Sequence, residues 1–352
     1  MKKAYKYLVV IAIIIISSLA SYFVNIQEKP RELSVNEISK LIQKEDVINV
    51  MPKPNKKYKV GVLFPMLAAP FWVNESYGVL DQAKKMGVDV IWYSADGYTN
   101  VDKQNSQIEN LISQKVDAIL IAPTSLTGNT PAIEKAILNG IKIFVHVTGS
   151  SAKGISGAVI ADDYEIGQKQ AEFVAKALNG SGKVIMLTGP SGAEWAINRA
   201  KAYKKYLADY AKNIVIVAER TGEPERVSSQ KAIEDLLIKF NDVDAIYTAA
   251  DGMAIGVTEV LNRSKPSKDV ILTTASFSKE SVPYILNGKI SLNVDESPVL
   301  QGRTAMNALV YVLEGYTVPN TIVVPVPGID KTELEKIDLT QTWAPEGYSL
   351  TN

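Results

Sequence analysis

The sequence predicts an α/β protein built as two doubly wound parallel-sheet lobes joined by a hinge. From Tyr58 onward, short and continuously apolar strands alternate with longer amphipathic stretches, the pattern of parallel sheets covered by helices on both faces. About ten such strands can be marked, more than the five or six of an ordinary sheet. A short motif also recurs: Lys115-Val116-Asp117-Ala118-Ile119 returns in kind as Asp242-Val243-Asp244-Ala245-Ile246. Both copies fall where a helix gives way to a strand, which argues for a duplicated architecture.

The chain opens with Lys2, Lys3 and Lys6, an apolar run from Tyr7 to Ile16, and then Ser17-Ser18-Leu19-Ala20. A basic start, a short apolar core and a small-residue exit read as a secretory signal cut after Ala20. The alternative is an uncleaved anchor within residues 1–24, because apolar residues resume at Tyr22-Phe23-Val24 and approach spanning length. Both place the remainder outside the cytoplasm. Residues 25–57 read as a polar leader, with a short amphipathic helix over 31–46 and Pro52 and Pro54 before the core. Strands are expected over 59–64, 88–93, 118–122, 142–147, 158–160, 184–188, 215–218, 245–249, 270–274 and 290–294. Helices are expected over 72–86, 102–114, 164–178, 194–210, 226–240 and 299–313. Turns are expected after the two echoed strands, at Pro123 and at Asp251-Gly252. The first lobe is assigned 58–157 with 297–322, and the second 158–296 with 323–352.

Bulk composition removes several function classes. A chain of 352 residues, 46% hydrophobic, is long enough for two cores of ordinary size. Its 38 basic and 38 acidic residues balance, with no basic groove for a nucleic acid. There is no cysteine, so disulfides, thiolate metal sites, cysteine nucleophiles and a lipoprotein anchor are excluded. His146 is the lone histidine and sits in the apolar run Ile143-Phe144-Val145-His146-Val147, which reads as a partly buried strand position. Gly189-Pro190-Ser191-Gly192-Ala193 follows a strand and precedes a helix, but lacks the Lys-Ser/Thr of a phosphate loop and the second glycine of a serine elbow. The acid pairs Asp162-Asp163 and Asp295-Glu296 are adjacent in sequence, so their side chains are expected to point apart. No cofactor, metal or enzymatic activity is expected.

At Val60-Gly61-Val62-Leu63-Phe64-Pro65 and Pro70-Phe71-Trp72 the chain resembles the type I periplasmic binding proteins. Further matches are Val116 to Pro123, Asn198-Arg199 with Tyr203, Asp251 to Gly256, and Asp295-Glu296 followed by Gly302. The related repressors are set aside, since a signal-like segment stands where a helix-turn-helix should precede the core. Among sugar binders of this family, Arg199 falls at a ligand arginine and Glu296 or Asp295 at a ligand glutamine. Ser125, Ala250 and Ser278 stand where other polar ligand residues are usual. Each buried hydroxyl left unpaired costs about 1–3 kcal/mol, so an ordinary sugar is disfavoured. The chain is also similar to the TorT periplasmic sensor-partner family. The matching residues are Phe71-Trp72 with Tyr77-Gly78, Lys84 to Val90, Gly97-Tyr98 followed by Gln104 and Gln107, and the ending Ala344-Pro345-Glu346-Gly347-Tyr348.

The resemblance implies a ligand held between strand carboxyl ends of the two lobes. Phe71, Trp72, Tyr98 and Ser125 are expected there from the first lobe, and Asp162, Trp195, Arg199, Asp251, Phe277 and Glu296 from the second. An aromatic cage with an acid suits a methylated ammonium, and Arg199 suits an oxide or carboxylate oxygen. A methylamine N-oxide or small zwitterion is therefore the favoured ligand, with a sugar as the alternative. The implied partner is a membrane sensor kinase that reads the closed form, or alternatively the permease of an ABC importer.

Overall fold

The computed structural model describes residues 54–350 except 68, 192 and 265–267. The expected signal or anchor and nearly all of the leader, its 31–46 helix included, lie outside the described residues. Two six-stranded sheets are present. The first contains β1 (Lys59–Phe64), β2 (Asp89–Ser94), β3 (Ala118–Ile121), β4 (Lys142–His146), β5 (Gly157–Ala161) and β11 (Thr321–Val324). They run in the order β11-β5-β4-β3-β1-β2, all pairs parallel. The second holds β6 (Ser181–Leu187), β7 (Asn213–Arg220), β8 (Ala245–Thr248), β9 (Ile271–Ala275), β10 (Leu292–Val294) and β12 (Gly328–Ile329). Its order is β12-β10-β9-β8-β6-β7, with β12 an antiparallel edge.

In the first sheet both faces are buried, and alternation decides which core each residue enters. Val60, Val62 and Phe64 of β1, with Ala118 and Leu120 of β3, enter one core. Leu63, Ile119 and Ile121 enter the other, with Ile108 and Leu111. The helices with the first sheet are α1 (Pro70–Met86), α2 (Val101–Ser113) and α3 (Thr130–Leu138). The second sheet carries α4 (Asp163–Ala177), α5 (Glu194–Tyr210), α6 (Arg226–Lys239), α7 (Asp251–Ser264) and the short α8 (Val282–Leu286). A last helix, α9 (Pro298–Leu313), returns to the first lobe and packs on α1. Gly78 and Gly302 set that approach: a Cβ at Gly78 would stand 2.2 Å from the Val299 carbonyl oxygen, and one at Gly302 2.4 Å from that of Glu75.

The echoed motif plays one role twice. Asp117 opens β3 and accepts the Lys59 backbone N–H at 2.8 Å, and Asp244 opens β8 and accepts that of Lys183 at 2.7 Å. Each aspartate thereby pins the start of the strand paired beside it. Asp251-Gly252 is not a turn, as expected from sequence, but the first turn of α7. Helices α3, α7 and α8 and strands β11 and β12 were not among the expected elements.

The lobe limits shift accordingly. β5 pairs with β4 and β11 in the first sheet, so the first crossing follows Ala161 rather than residue 157. β11 also belongs to the first sheet, so the third crossing follows Val324 rather than residue 322. An apolar strand reads alike for either lobe; pairing alone assigns it. The second and third crossings are tied together, with Asp295 N–H donating to the Pro327 carbonyl at 2.9 Å. Ser297 sits between them at φ 50, and its hydroxyl donates to the Pro325 carbonyl at 3.2 Å.

After β12 the chain returns across this hinge. Thr342 Oγ1 donates to Asp295 Oδ2 at 2.5 Å. Trp343 stacks on Phe277 with ring centres 4.9 Å apart and donates its indole N–H to the Phe277 carbonyl at 3.2 Å. Ala344 N–H then donates to Asn74 Oδ1 of α1 at 2.9 Å, and Tyr348 meets Tyr77 at 5.0 Å. The tail thus fastens the second lobe to the first lobe's α1. His146 ends β4 fully buried rather than partly so, its Nδ1 2.6 Å from Glu75 Oε1.

Candidate ligand cleft between the lobes

The first lobe contributes aromatic faces. Pro70 fixes the first turn of α1, where its missing N–H costs nothing, and the next two residues are Phe71 and Trp72. Their rings meet edge to face, 5.1 Å apart at 81°, and Trp72 is buried. Tyr98, in the loop from β2 to α2, lies 6.5 Å from Trp72 and is 38% exposed. Burial pushes the Tyr98 hydroxyl's pKa up, opposed by a hydrogen bond from Trp72, and the field of Glu296, Asp163 and Arg199 reaches it. All three of those residues belong to the second lobe, so Tyr98 looks across the cleft. Ser125 is committed locally: its Oγ accepts the Gly128 N–H at 3.0 Å and its own N–H donates to Asn129 Oδ1 at 2.9 Å.

The second lobe contributes charge, centred on Arg199. This side chain is 2% exposed and its Nε donates to Asp163 Oδ1 at 2.8 Å. Nη2 lies 2.8 Å from Asp163 Oδ1 and 2.9 Å from Glu296 Oε2. Nη1 donates to the Ala249 carbonyl at 3.0 Å and reaches Ser276 Oγ at 3.5 Å. Ser276, at φ 70, donates its hydroxyl to Glu296 Oε1. Burial acts to lower the guanidinium's pKa, and Glu296 and Asp163 outweigh it, so it stays charged. Asp163 is pushed up by burial, against the pull of Arg199. Trp195 lies one turn before Arg199 on α5, where side chains four apart share a face, and the guanidinium sits 4.9 Å above its ring.

Close helix contact makes this network. A Cβ at Gly167 would stand 2.0 Å from the Arg199 carbonyl oxygen, so α4 approaches α5 closely enough for Asp163 to reach the guanidinium. Of the adjacent acids, Asp162 caps α4, its Oδ1 accepting the N–H groups of Tyr164 at 2.8 Å and Glu165 at 3.2 Å. Asp163 makes the arginine contact. The N-cap preference for aspartate just before a helix was the signal that separates their roles. Asp295 and Glu296 also part, Asp295 toward Thr342 and Glu296 toward Arg199.

Asp251 accepts the Ser278 backbone N–H at 3.0 Å, and burial pushes its carboxyl up to about 7. Phe277 is buried under Trp343. The lobes meet at the cleft edge, where a Cβ on Gly149 would lie 3.3 Å from Leu126 and 3.5 Å from Glu194 Oε2. Of the expected positions, Phe71, Trp72 and Tyr98 form one group and Trp195, Arg199 and Glu296 another, with Tyr98 in the field of the second; Ser125 and Asp162 are engaged by backbone groups. Asp163 and Ser276 are added to the set. Among the described residues no cluster of His, Cys, Asp or Glu could hold a metal, and no helix is long and apolar enough to cross a membrane.

Residues 60–317 match the family model of the periplasmic binding protein domain. The ribose import binding protein of Bacillus subtilis is 30% identical over 272 residues, 77% of this chain and 87% of that protein. The periplasmic protein TorT of Escherichia coli O157:H7 is 21% identical over 299 residues, 84% of each chain. An ABC transporter solute-binding protein from Actinobacillus succinogenes, solved with bound D-allose, superposes with a TM-score of 0.75 at 24% identity, covering 80% of this chain and all of that one. Of the two sequence relatives, the ribose importer's protein is the nearer. Two parallel-sheet lobes agree with these matches, and the chain belongs to the periplasmic binding protein family, whose members are extracytoplasmic solute-binding proteins and not enzymes.

Proposed function

We propose that this protein is the substrate-binding component of an ABC importer, closing its lobes on a small polyhydroxylated solute of the sugar class. The observation that carries the reading is the cleft itself, aromatic faces on one side and buried carboxylates on the other, in a chain 30% identical to a ribose import protein. Sugar sites combine ring-packing aromatic groups with acceptors for hydroxyls. Asp163 and Glu296 are candidate acceptors on the second lobe that would stand in for the groups missing at Ser125, Ala250 and Ser278. Contacts made in both lobes favour the closed form, which a permease reads.

The methylamine N-oxide reading asks Arg199 to bond an oxide, and each of its nitrogens already has a protein acceptor. The sensor-kinase reading keeps one specific support. The TorT match runs over 299 residues, and the ending shared with that family, Ala344 to Tyr348, is built into the hinge contacts of α1. A thermal-shift screen with D-ribose, D-allose, D-arabinose and trimethylamine N-oxide separates the two. A ligand at a hundredfold excess over its Kd adds about 2.7 kcal/mol to the folded state. Shifts with the sugars support the importer reading; a shift with the N-oxide alone overturns it and favours signalling.

A further inference from the structure

We infer that the cleft selects a solute bringing both hydrogen-bond donors and a positive charge, an amino-substituted sugar or polyol, and rejects sugar acids and sugar phosphates. This rests on the sugar-class reading above. Arg199 is the one basic side chain among the candidate cleft residues, and its donors are spent inside the protein. Nε and Nη2 serve Asp163 and Glu296, and Nη1 serves the Ala249 carbonyl and Ser276. An anionic ligand finds no vacant guanidinium donor there, and to claim one it must pull apart a pair that is 2% exposed on its arginine side. Arginine recognises carboxylate and phosphate through free, paired N–H groups, and this arginine presents none.

The acceptors are in excess. Asp163 and Glu296 stand against a single guanidinium, which leaves one carboxylate more than there are cations among these three side chains. Each carboxylate oxygen carries two lone pairs. Among the described residues Asp163 Oδ2 receives no hydrogen bond, and its side chain is 23% exposed. Across the cleft stand π faces rather than cations. The Trp195 face is covered by Arg199 and Trp72 is buried, whereas Tyr98, tilted 59° against Trp72 and 38% exposed, retains aromatic surface. Quadrupole and carboxylates attract the same sign of charge. Neutral hydroxyls satisfy the lone pairs but leave the charge; an ammonium on the same ring satisfies both.

The test is calorimetric titration of the purified protein at low ionic strength with D-glucose, D-glucosamine and D-glucuronate, and with the matching galactose trio. The expected result is that an amine binds at least about tenfold more tightly than its neutral parent, a difference of about 1.4 kcal/mol. The advantage shrinks in high salt and in Glu296→Gln, and neither uronate gives heat. Equal or tighter binding of the neutral parent, or binding of a uronate, overturns the inference and leaves the sugar-class reading standing. Absence of binding by all six, with trimethylamine N-oxide binding alongside, overturns the sugar-class reading and this inference with it.

Discussion

Replacing Arg199 by methionine tests whether the cleft is organised around a single buried cation. Methionine approximates the stem's bulk and removes the contacts of the head, among them Asp163 and Glu296 within 2.9 Å and the Ala249 carbonyl at 3.0 Å. What remains is two carboxylates facing one buried space and an orphaned carbonyl. Breaking one side of a buried ion pair costs about 3–5 kcal/mol. A kilocalorie moves the midpoint by roughly 2–4 °C in domains of this size, so a loss of roughly 6–20 °C is expected near neutral pH. The pH dependence has a definite sign. Burial already pushes the Asp163 carboxyl up against the pull of Arg199; without the arginine it rises further above its unfolded value, so the folded state holds a proton that the unfolded state has released. The penalty therefore grows as pH rises and shrinks as pH falls toward the ordinary carboxylate range. Thermal melts of wild type, Arg199→Met and the triple variant Arg199→Met/Asp163→Asn/Glu296→Gln at about pH 8 and about pH 5 decide the matter. The triple variant recovers much of the loss, because it removes the uncompensated charge. A single variant melting within a degree or two of wild type at both pH values refutes this account of the cleft.

Burial pushes the Asp295 carboxyl up to about 7, so the folded state holds a proton between the ordinary carboxylate value and that pH. Wild-type stability should fall as pH climbs from about 4 to about 7, and Asp295→Asn, which removes this titration, should flatten the slope of urea midpoints against pH. Gly167→Ala puts a Cβ 2.0 Å from the Arg199 carbonyl oxygen; a loss of about 1–3 kcal/mol should accompany weaker ligand binding, since the helices must part where Asp163 meets Arg199. Trp343→Ala deletes the stack on Phe277 and the indole hydrogen bond. It should cost about 2 kcal/mol and shift small-angle scattering of the ligand-free protein toward a more open form, because the tail joins both lobes.

The fold was legible because it rests on local rules. Continuous apolar strands such as Ala118–Ile121, amphipathic helices between them and the echo at Asp117 and Asp244 are visible in the residues themselves, and the strands expected from them entered two parallel sheets. Aromatic Phe71 and Trp72 were placed correctly at the head of α1, since Pro70 marks that helix start. The shorter elements escaped: β12 is two residues long and carries no period, and Asp251-Gly252 resembles a turn as much as a helix opening.

The sequence by itself determined the number and kind of lobes and the absence of thiol chemistry, because composition and periodicity need no partner to be read. Tertiary structure decided which of two adjacent acids serves the site. Asp162 and Asp163 differ by one step along the chain, and only the crossing of α4 and α5 at Gly167 assigns one to the helix cap and the other to Arg199. It also decided the meaning of Arg199. An arginine in a binding cleft reads as an anion receptor until its partners are known, and those partners come from residues 163, 249, 276 and 296. Charge in a cleft is a property of the assembled pairs, which form across long sequence separations and leave no local trace.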